Sequence, residues 1–169
     1  YAICSGLVGS DMCIRDRSRR YRLQILDRME ATMGVAPDLS ESEVWQHQLA
    51  GKFSDIKENV RGICQHGSTE MLNNVIDHSE SSSTAITYER TAIGVRIWVR
   101  DSGIGIFRRI ATALDLESEQ QALLEIAKGK LTTDPDRHSG EGIFFSSRMF
   151  DDFAILSGSL YFTHSRDED

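Results

Sequence analysis

Glu70 and Asn74 stand four residues apart within Gly67–His78, a stretch with helical spacing, so a carboxylate and a carboxamide can be presented to one point in space. The pair suits a magnesium-nucleotide site. An amide oxygen is a hard ligand for Mg²⁺, and a neighbouring carboxylate can align or deprotonate an attacking water or hydroxyl. Taken alone, E-x-x-x-N reads more simply as an exposed polar helix face. Asp101 closes an apolar run directly before Gly103 and Gly105. Its carboxylate would sit on a fixed element beside a backbone bare enough for a flat ligand to approach, and can accept a hydrogen bond from an exocyclic amine such as that of adenine. A solvated turn is the plainer reading of D-x-G-x-G by itself. Ser139-Gly140-Glu141-Gly142 precedes an apolar helix and can expose unpaired backbone amides to phosphate. Lys128, Lys130, Arg137 and His138 lie just upstream as a source of positive charge or as solvated side chains. The dinucleotide fingerprint fails, because Arg108 stands where a third glycine is required, and no P-loop is present.

These residues need elements to hold them. At about 100° per residue, Glu70, Asn74 and Asp77 fall within roughly 60° of one another, with Leu72, Val75 and Ile76 on the opposite side. Thr84–Arg90 and Gly94–Asp101 alternate apolar and polar residues and predict a hairpin, after a serine-rich turn at 79–83. Helices are expected at Ile106–Leu114 and Ser118–Lys128, the second with a Ser118/Gln121 capping box and a stop at Gly129. Lys130–Ser139 is a polar lid, Ile143–Phe150 a helix, and Phe153–Leu156 with Leu160–His164 a closing hairpin around Ser157-Gly158-Ser159. Upstream, Ser40 or Ser42 can cap a helix burying Trp45, Leu49 and Phe53, with a further helix at Ile56–Cys64. Gln24–Met33 has helix-forming composition before Gly34 and Pro37. The order of elements predicts an α/β protein with a mixed, largely antiparallel sheet.

The chain has 169 residues, room for one ordinary domain. Its formal charge of −7 argues against direct nucleic-acid binding through a broad basic surface. No apolar run approaches the roughly 20 residues needed to cross a bilayer, so no membrane partner and a soluble, cytoplasmic protein are expected. Leu7–Arg17 resembles the peptide obtained when sequencing-adapter DNA is translated, and residues 1–17 are set aside as a non-native segment. That leaves Cys64 as the one credible thiol and supports no disulfide or cysteine metal site. Residues 18–39, with basic Arg19, Arg20 and Arg22, are read as a linker or the tail of a missing upstream domain. The globular domain is placed at 40–164, and 165–169 as the start of a missing C-terminal region.

The three motifs occur in one order, and as a set the chain resembles the GHKL ATPase superfamily of gyrase-type topoisomerases, sensor histidine kinases and anti-sigma-factor serine kinases. Thr69–His78 is similar to its N box, Asp101–Gly105 to its first glycine box and Gly140–Gly142 to its second. The resemblance implies a Bergerat two-layer α/β sandwich with ATP held beneath a lid. It assigns Glu70 as general base or water-orienting residue, Asn74 as the Mg²⁺ ligand and Asp101 as the adenine reader. Gly103 and Gly105 would line the base and ribose; Gly140, Glu141 and Gly142 would wrap the phosphates with Lys130 nearby. Ile104 and Ile143 would be apolar contacts, and Asp77 would reach the nucleotide through water or cap the neighbouring turn. Glu70–Ser79, Ala127–Pro135 and Gly140–Phe145 further resemble a bacterial group of ATP-binding regulators. In that group a winged-helix DNA-binding domain precedes the ATPase and a STAS-like domain often follows.

His47 and His66 are followed by Gln48 and Gly67 rather than an acidic residue, which disfavours a phosphoacceptor histidine. Acidic Glu70 matches members that activate a hydroxyl, either water or a protein serine. Three functions follow: a Mg-ATP-dependent regulatory ATPase or serine kinase, a non-catalytic ATP-gated conformational switch, and an interaction domain with vestigial motifs. The implied cofactors are ATP and Mg²⁺. The implied partners are a protein or the missing DNA-binding domain, and a homodimer is compatible with the sequence.

Overall fold

The computed structural model describes residues 2–6 (main chain only), 23–129 and 142–166. Six strands form one sheet in the order β2-β3-β4-β1-β5-β6. They span Ala2–Gly6 (β1), Asp27–Gly34 (β2), Ser83–Arg90 (β3), Val95–Asp101 (β4), Asp152–Ser157 (β5) and Leu160–Ser165 (β6). Every pairing among the described strands is antiparallel. The α/β class stands, and the parallel component of the expected mixed sheet does not appear among them.

Five α-helices complete the order: α1 (Glu41–Val44), α2 (Glu58–His78), α3 (Ile106–Ala113), α4 (Glu119–Lys128) and α5 (Gly142–Met149). Ser40 caps α1 by accepting the Glu43 N–H, and the chain continues through a wide π turn at Trp45–Leu49 and a 3₁₀ turn at Ala50–Phe53. Trp45, Leu49 and Phe53 are buried as the spacing predicts. Phe53 packs between Trp45, tilted against it at 5.0 Å, and Tyr88, edge-to-face at 5.4 Å, and the Tyr88 hydroxyl donates to the Lys52 carbonyl at 3.3 Å. Burial pushes the Tyr88 hydroxyl pKa up, with smaller opposing and reinforcing effects from nearby charges.

β3 and β4 form the expected hairpin, with Ile86 and Tyr88 on one strand and Val95, Ile97 and Val99 on the other turned into the core. At its turn, Arg90 donates to both carboxylate oxygens of Asp55 at 2.8 and 3.0 Å. That bond holds the Asp55 carboxyl below the usual range and raises the Arg90 guanidinium. Ser118 caps α4 by accepting the Gln121 N–H at 3.3 Å, and Gly129 ends the helix in the left-handed region at φ +76°. The Gln121 side chain returns to the N–H of Glu117, one residue before the reciprocal partner of an ideal capping box.

Two parts of the sequence reading are corrected. Gln24–Met33 is not a helix: Asp27–Gly34 is a strand whose burial strictly alternates and which pairs with β3 along its length. Leu, Met, Glu, Arg and Ala favour helices, but the period of two in Asp27, Met29, Ala31 and Met33 against Arg28, Glu30 and Thr32 overrides composition. The folded unit therefore reaches into the segment read as a linker. The helices expected at 56–64 and 67–78 are one helix, α2, running through Gly67. The main chain of Ala2–Gly6 lies between β4 and β5, with Ala2 level with Val99 and Ile155.

Candidate functional site

α2 brings its polar stripe to the end of the sheet where β4 and β5 finish. Met71 and Leu72 are buried beneath it with Val75, while Glu70 and Asn74 are partly exposed and Asp77 is exposed. Ile76, expected on the core side, is only half-buried. The Asn74 amide nitrogen donates to the Glu70 carbonyl at 2.9 Å, one turn back, which fixes the carboxamide along the helix and leaves its oxygen as the acceptor end.

The Asp101 turn is tied to the C-terminus of α2 by serines. Ser79 Oγ donates to the Val75 carbonyl at 2.7 Å and accepts the Ser81 N–H at 3.0 Å. Ser81 Oγ donates to the Ser83 carbonyl at 2.7 Å, accepts the Ser102 N–H at 3.2 Å and lies 3.3 Å from the Ser102 hydroxyl. The Ile104 N–H donates to the Ser79 carbonyl at 2.8 Å. These bonds hold Asp101, whose Oδ1 accepts the Gly103 N–H at 2.8 Å.

The glycines have structural reasons of their own. A Cβ on Gly103 would stand 2.0 Å from the Ser79 carbonyl oxygen, so this residue lets the turn lie directly on α2. Gly105 has φ +89° and faces Ser157 Oγ, 2.4 Å from where its Cβ would be.

Between α2, the Asp101–Gly105 turn and the end of β5 lies a cavity of about 310 Å³, at the small end of the range for ligand sites. Its wall includes Asn74 and His78, its floor Val99, Ile106 and Ile155, and its rim Asp101, Gly103, Gly105 and Ser157. Asn74 and Asp101, 27 residues apart in the chain, thus share one cavity.

Glu70 points elsewhere on the same stripe. Its carboxylate lies against Gly142 at the start of α5, with Oε2 2.2 Å from the position a Cβ would take there. Glu70 of the first motif and Gly142, the described residue of the third, therefore meet, and neither lines the cavity. Asp77, Ile104 and Ile143 do not line the cavity; Ile104 serves through its N–H, and Ile143 packs on the core. Lys130, Gly140 and Glu141 lie outside the described residues, as do Arg137 and His138. Lys128 is within them, exposed at the end of α4 and ion-paired with Glu125.

Sequence reasoning missed Ser157, Ile155 and Gly158, which come to the cavity from the chain's last hairpin. The signal available was Ser157-Gly158-Ser159 as a turn; its position beside Gly105 depends on sheet order. No group of three or more His, Cys, Asp and Glu side chains fit to hold a metal occurs among the described residues. Nor is any helix among them long and apolar enough to cross a membrane. In comparisons with family models, curated proteins and solved structures, nothing matches this chain.

Proposed function

We propose that this chain is the Mg-ATP-binding domain of a bacterial signalling or transcription regulator, built as a Bergerat-type α/β sandwich of the GHKL kind. The observation that carries the reading is the shared cavity of Asn74 and Asp101. Asp101 has one oxygen engaged by the Gly103 N–H, so its second oxygen is the acceptor an adenine amine would use. The apolar floor of Val99, Ile106 and Ile155 suits a flat base. Mg²⁺ fits the residues present as an ion held by one protein ligand, the Asn74 oxygen, and otherwise by phosphates and water, which is its habit in nucleotide sites. Bound, it would neutralise phosphate charge. Glu70, beside Gly142, would orient or deprotonate the hydroxyl that attacks the terminal phosphate, from water or from a protein serine.

Calorimetry of Mg-ATP with the parent chain, Asp101→Asn and Glu70→Ala tests the reading, alongside phosphate release and serine phosphorylation. The expected result is binding by the parent, at least tenfold weaker binding by Asp101→Asn, and retained binding without turnover in Glu70→Ala. A parent chain that binds no nucleotide overturns the proposal. Binding with no turnover in the parent would instead make ATP a conformational ligand of a switch.

A further inference from the structure

The sheet order leaves β2 at one edge, and among the described residues no strand pairs with its outer side. This edge is eight residues long and contains neither proline nor lysine. Proteins usually blunt an edge with short length, proline, bulges or charged side chains, lysine above all; the charges here are Asp27, Arg28 and Glu30, of both signs, so they select a complementary strand rather than repel every one. Exposed Ile25 and Leu26, 45% and 59% accessible, continue directly from its N-terminal end.

The backbone direction and the charges select a partner. The Val35 N–H donates to the Ser82 carbonyl at 3.0 Å, one step beyond the Gly34–Ser83 pair. In an antiparallel ladder hydrogen-bonding residues alternate, so odd-numbered residues of β2 bond to β3 and Arg28, Glu30 and Thr32 turn their N–H and C=O groups outward. Two copies of β2 related by a two-fold axis must then pair even residue with even residue. Arg28 opposite Arg28, or Glu30 opposite Glu30, sets like charges face to face, which destabilises a pair of strands. Moving one step between these registers sets Arg28 opposite the partner copy's Glu30, and Glu30 opposite the partner copy's Arg28. The same register brings Met29 level with the partner copy's Met29. Just before the strand, Leu26 already donates its N–H to the Arg90 carbonyl at 2.7 Å, so of that residue only the carbonyl remains to meet the partner copy's Thr32 N–H.

We infer that the edge of β2 is a docking edge for a second copy of this chain, paired antiparallel about Met29 through reciprocal Arg28–Glu30 contacts. Both side chains remain available for it. Arg28 sits 3.5 Å from its own Glu30 and 3.4 Å from Glu89, and Glu30 3.0 Å from Arg100, yet Arg28 and Glu30 are 56% and 48% exposed. The opposite edge, β6, carries no acidic residue, lysine or arginine and has nothing comparable to fix a register. The contact is one strand wide and held partly by exposed charges, so it is concentration-dependent and weakened by salt. It does not depend on the nucleotide reading.

Sedimentation velocity of the full chain over a concentration series tests the inference. The parent is expected to pass from monomer to dimer as concentration rises. Arg28→Glu and Glu30→Arg are each expected to stay monomeric, because each puts like charges opposite one another. Mixing them in equal amounts is expected to restore the dimer, since both contacts across the pair then join an acidic side chain of one variant to a basic side chain of the other. Thr32→Pro removes an outward N–H without touching the β3 ladder and is expected to be monomeric with an unchanged circular dichroism spectrum. If a charge variant fails to fold, the proline variant and the parent decide. A monomeric parent, a dimer indifferent to these substitutions, or folded variants that do not recombine would each overturn the inference.

Discussion

The carboxylate of Glu70 rests against the α-carbon of Gly142, closing a contact between the middle of α2 and the first residue of α5. Seventy-two residues of sequence separate the two, which is the difference of their positions. Glycine at 142 is thus part of the arrangement of the carboxylate and not only a phosphate-facing backbone.

Gly142→Ala should therefore move Glu70. The clash is with the end of a flexible side chain, so the carboxylate can rotate away at little cost to stability, and position 142, the first of α5, gains little from alanine's preference for helix interiors. A melting temperature within a few degrees of the parent is expected, together with loss of nucleotide turnover. Calorimetric unfolding and a turnover assay on one preparation would separate the two effects. A fully active Gly142→Ala protein would show that the placement of Glu70 is irrelevant to the chemistry.

Gly103 and Gly62 should respond in opposite senses to the same substitution. At 103 the obstacle is the Ser79 backbone oxygen, which cannot swing aside, and overpacking of this kind costs about 1–3 kcal/mol. At 62, in the exposed first half of α2, nothing lies within 4 Å of the added methyl. Gly62→Ala is expected to stabilise by roughly 0.5–1 kcal/mol. Urea titrations of both variants measure the difference, and equal midpoints would contradict it.

Cys64 is buried, and that burial pushes its thiol from 9.0 up to about 12. The folded chain then keeps the proton in a range where the unfolded chain releases it. This contribution is complete below pH 9 and is lost as pH rises from 9.0 towards 12, at up to about 1.4 kcal/mol per unit. Cys64→Ala should flatten that alkaline decline in urea midpoints. The native thiol should also resist alkylation at mildly alkaline pH and react on unfolding, which peptide mapping of the labelled site would record.

Much of this arrangement was legible because local rules agree with the fold. The hairpin of β3 and β4 follows from alternation alone, and Ser118 and Gly129 mark both ends of α4. Asn74 and Asp101 were separately readable as candidates, each on an element with a clear period. What could not be read was set by non-local contacts. Gly67 looks like a helix boundary, yet the Phe150 ring lies 2.3 Å from where its Cβ would be, so a glycine inside α2 makes room for the end of the chain. β2 is made of helix-forming residues and becomes a strand because β3 supplies a partner. Ser157 reaches the cavity only because β5 follows β1 and β4 in the sheet.

Ser81 tests whether the serine turn positions Asp101. Its hydroxyl is buried and serves three backbone groups at once, donating to the Ser83 carbonyl and accepting the Ser83 and Ser102 N–H groups at 3.3 and 3.2 Å. Ser81→Ala removes all three while leaving the Ser79 bonds to Val75 and Ile104 in place. Ser102 is exposed, so water can replace one partner, and the loss is expected near 1 kcal/mol rather than at the upper end for a buried unpaired group. Because Asp101 lies one residue before Ser102, loosening this bond should weaken Mg-ATP binding several-fold. Calorimetry with ATP and with inorganic pyrophosphate distinguishes the cause. A displaced Asp101 weakens ATP alone, whereas general loosening of the domain weakens both ligands and lowers the melting temperature in proportion.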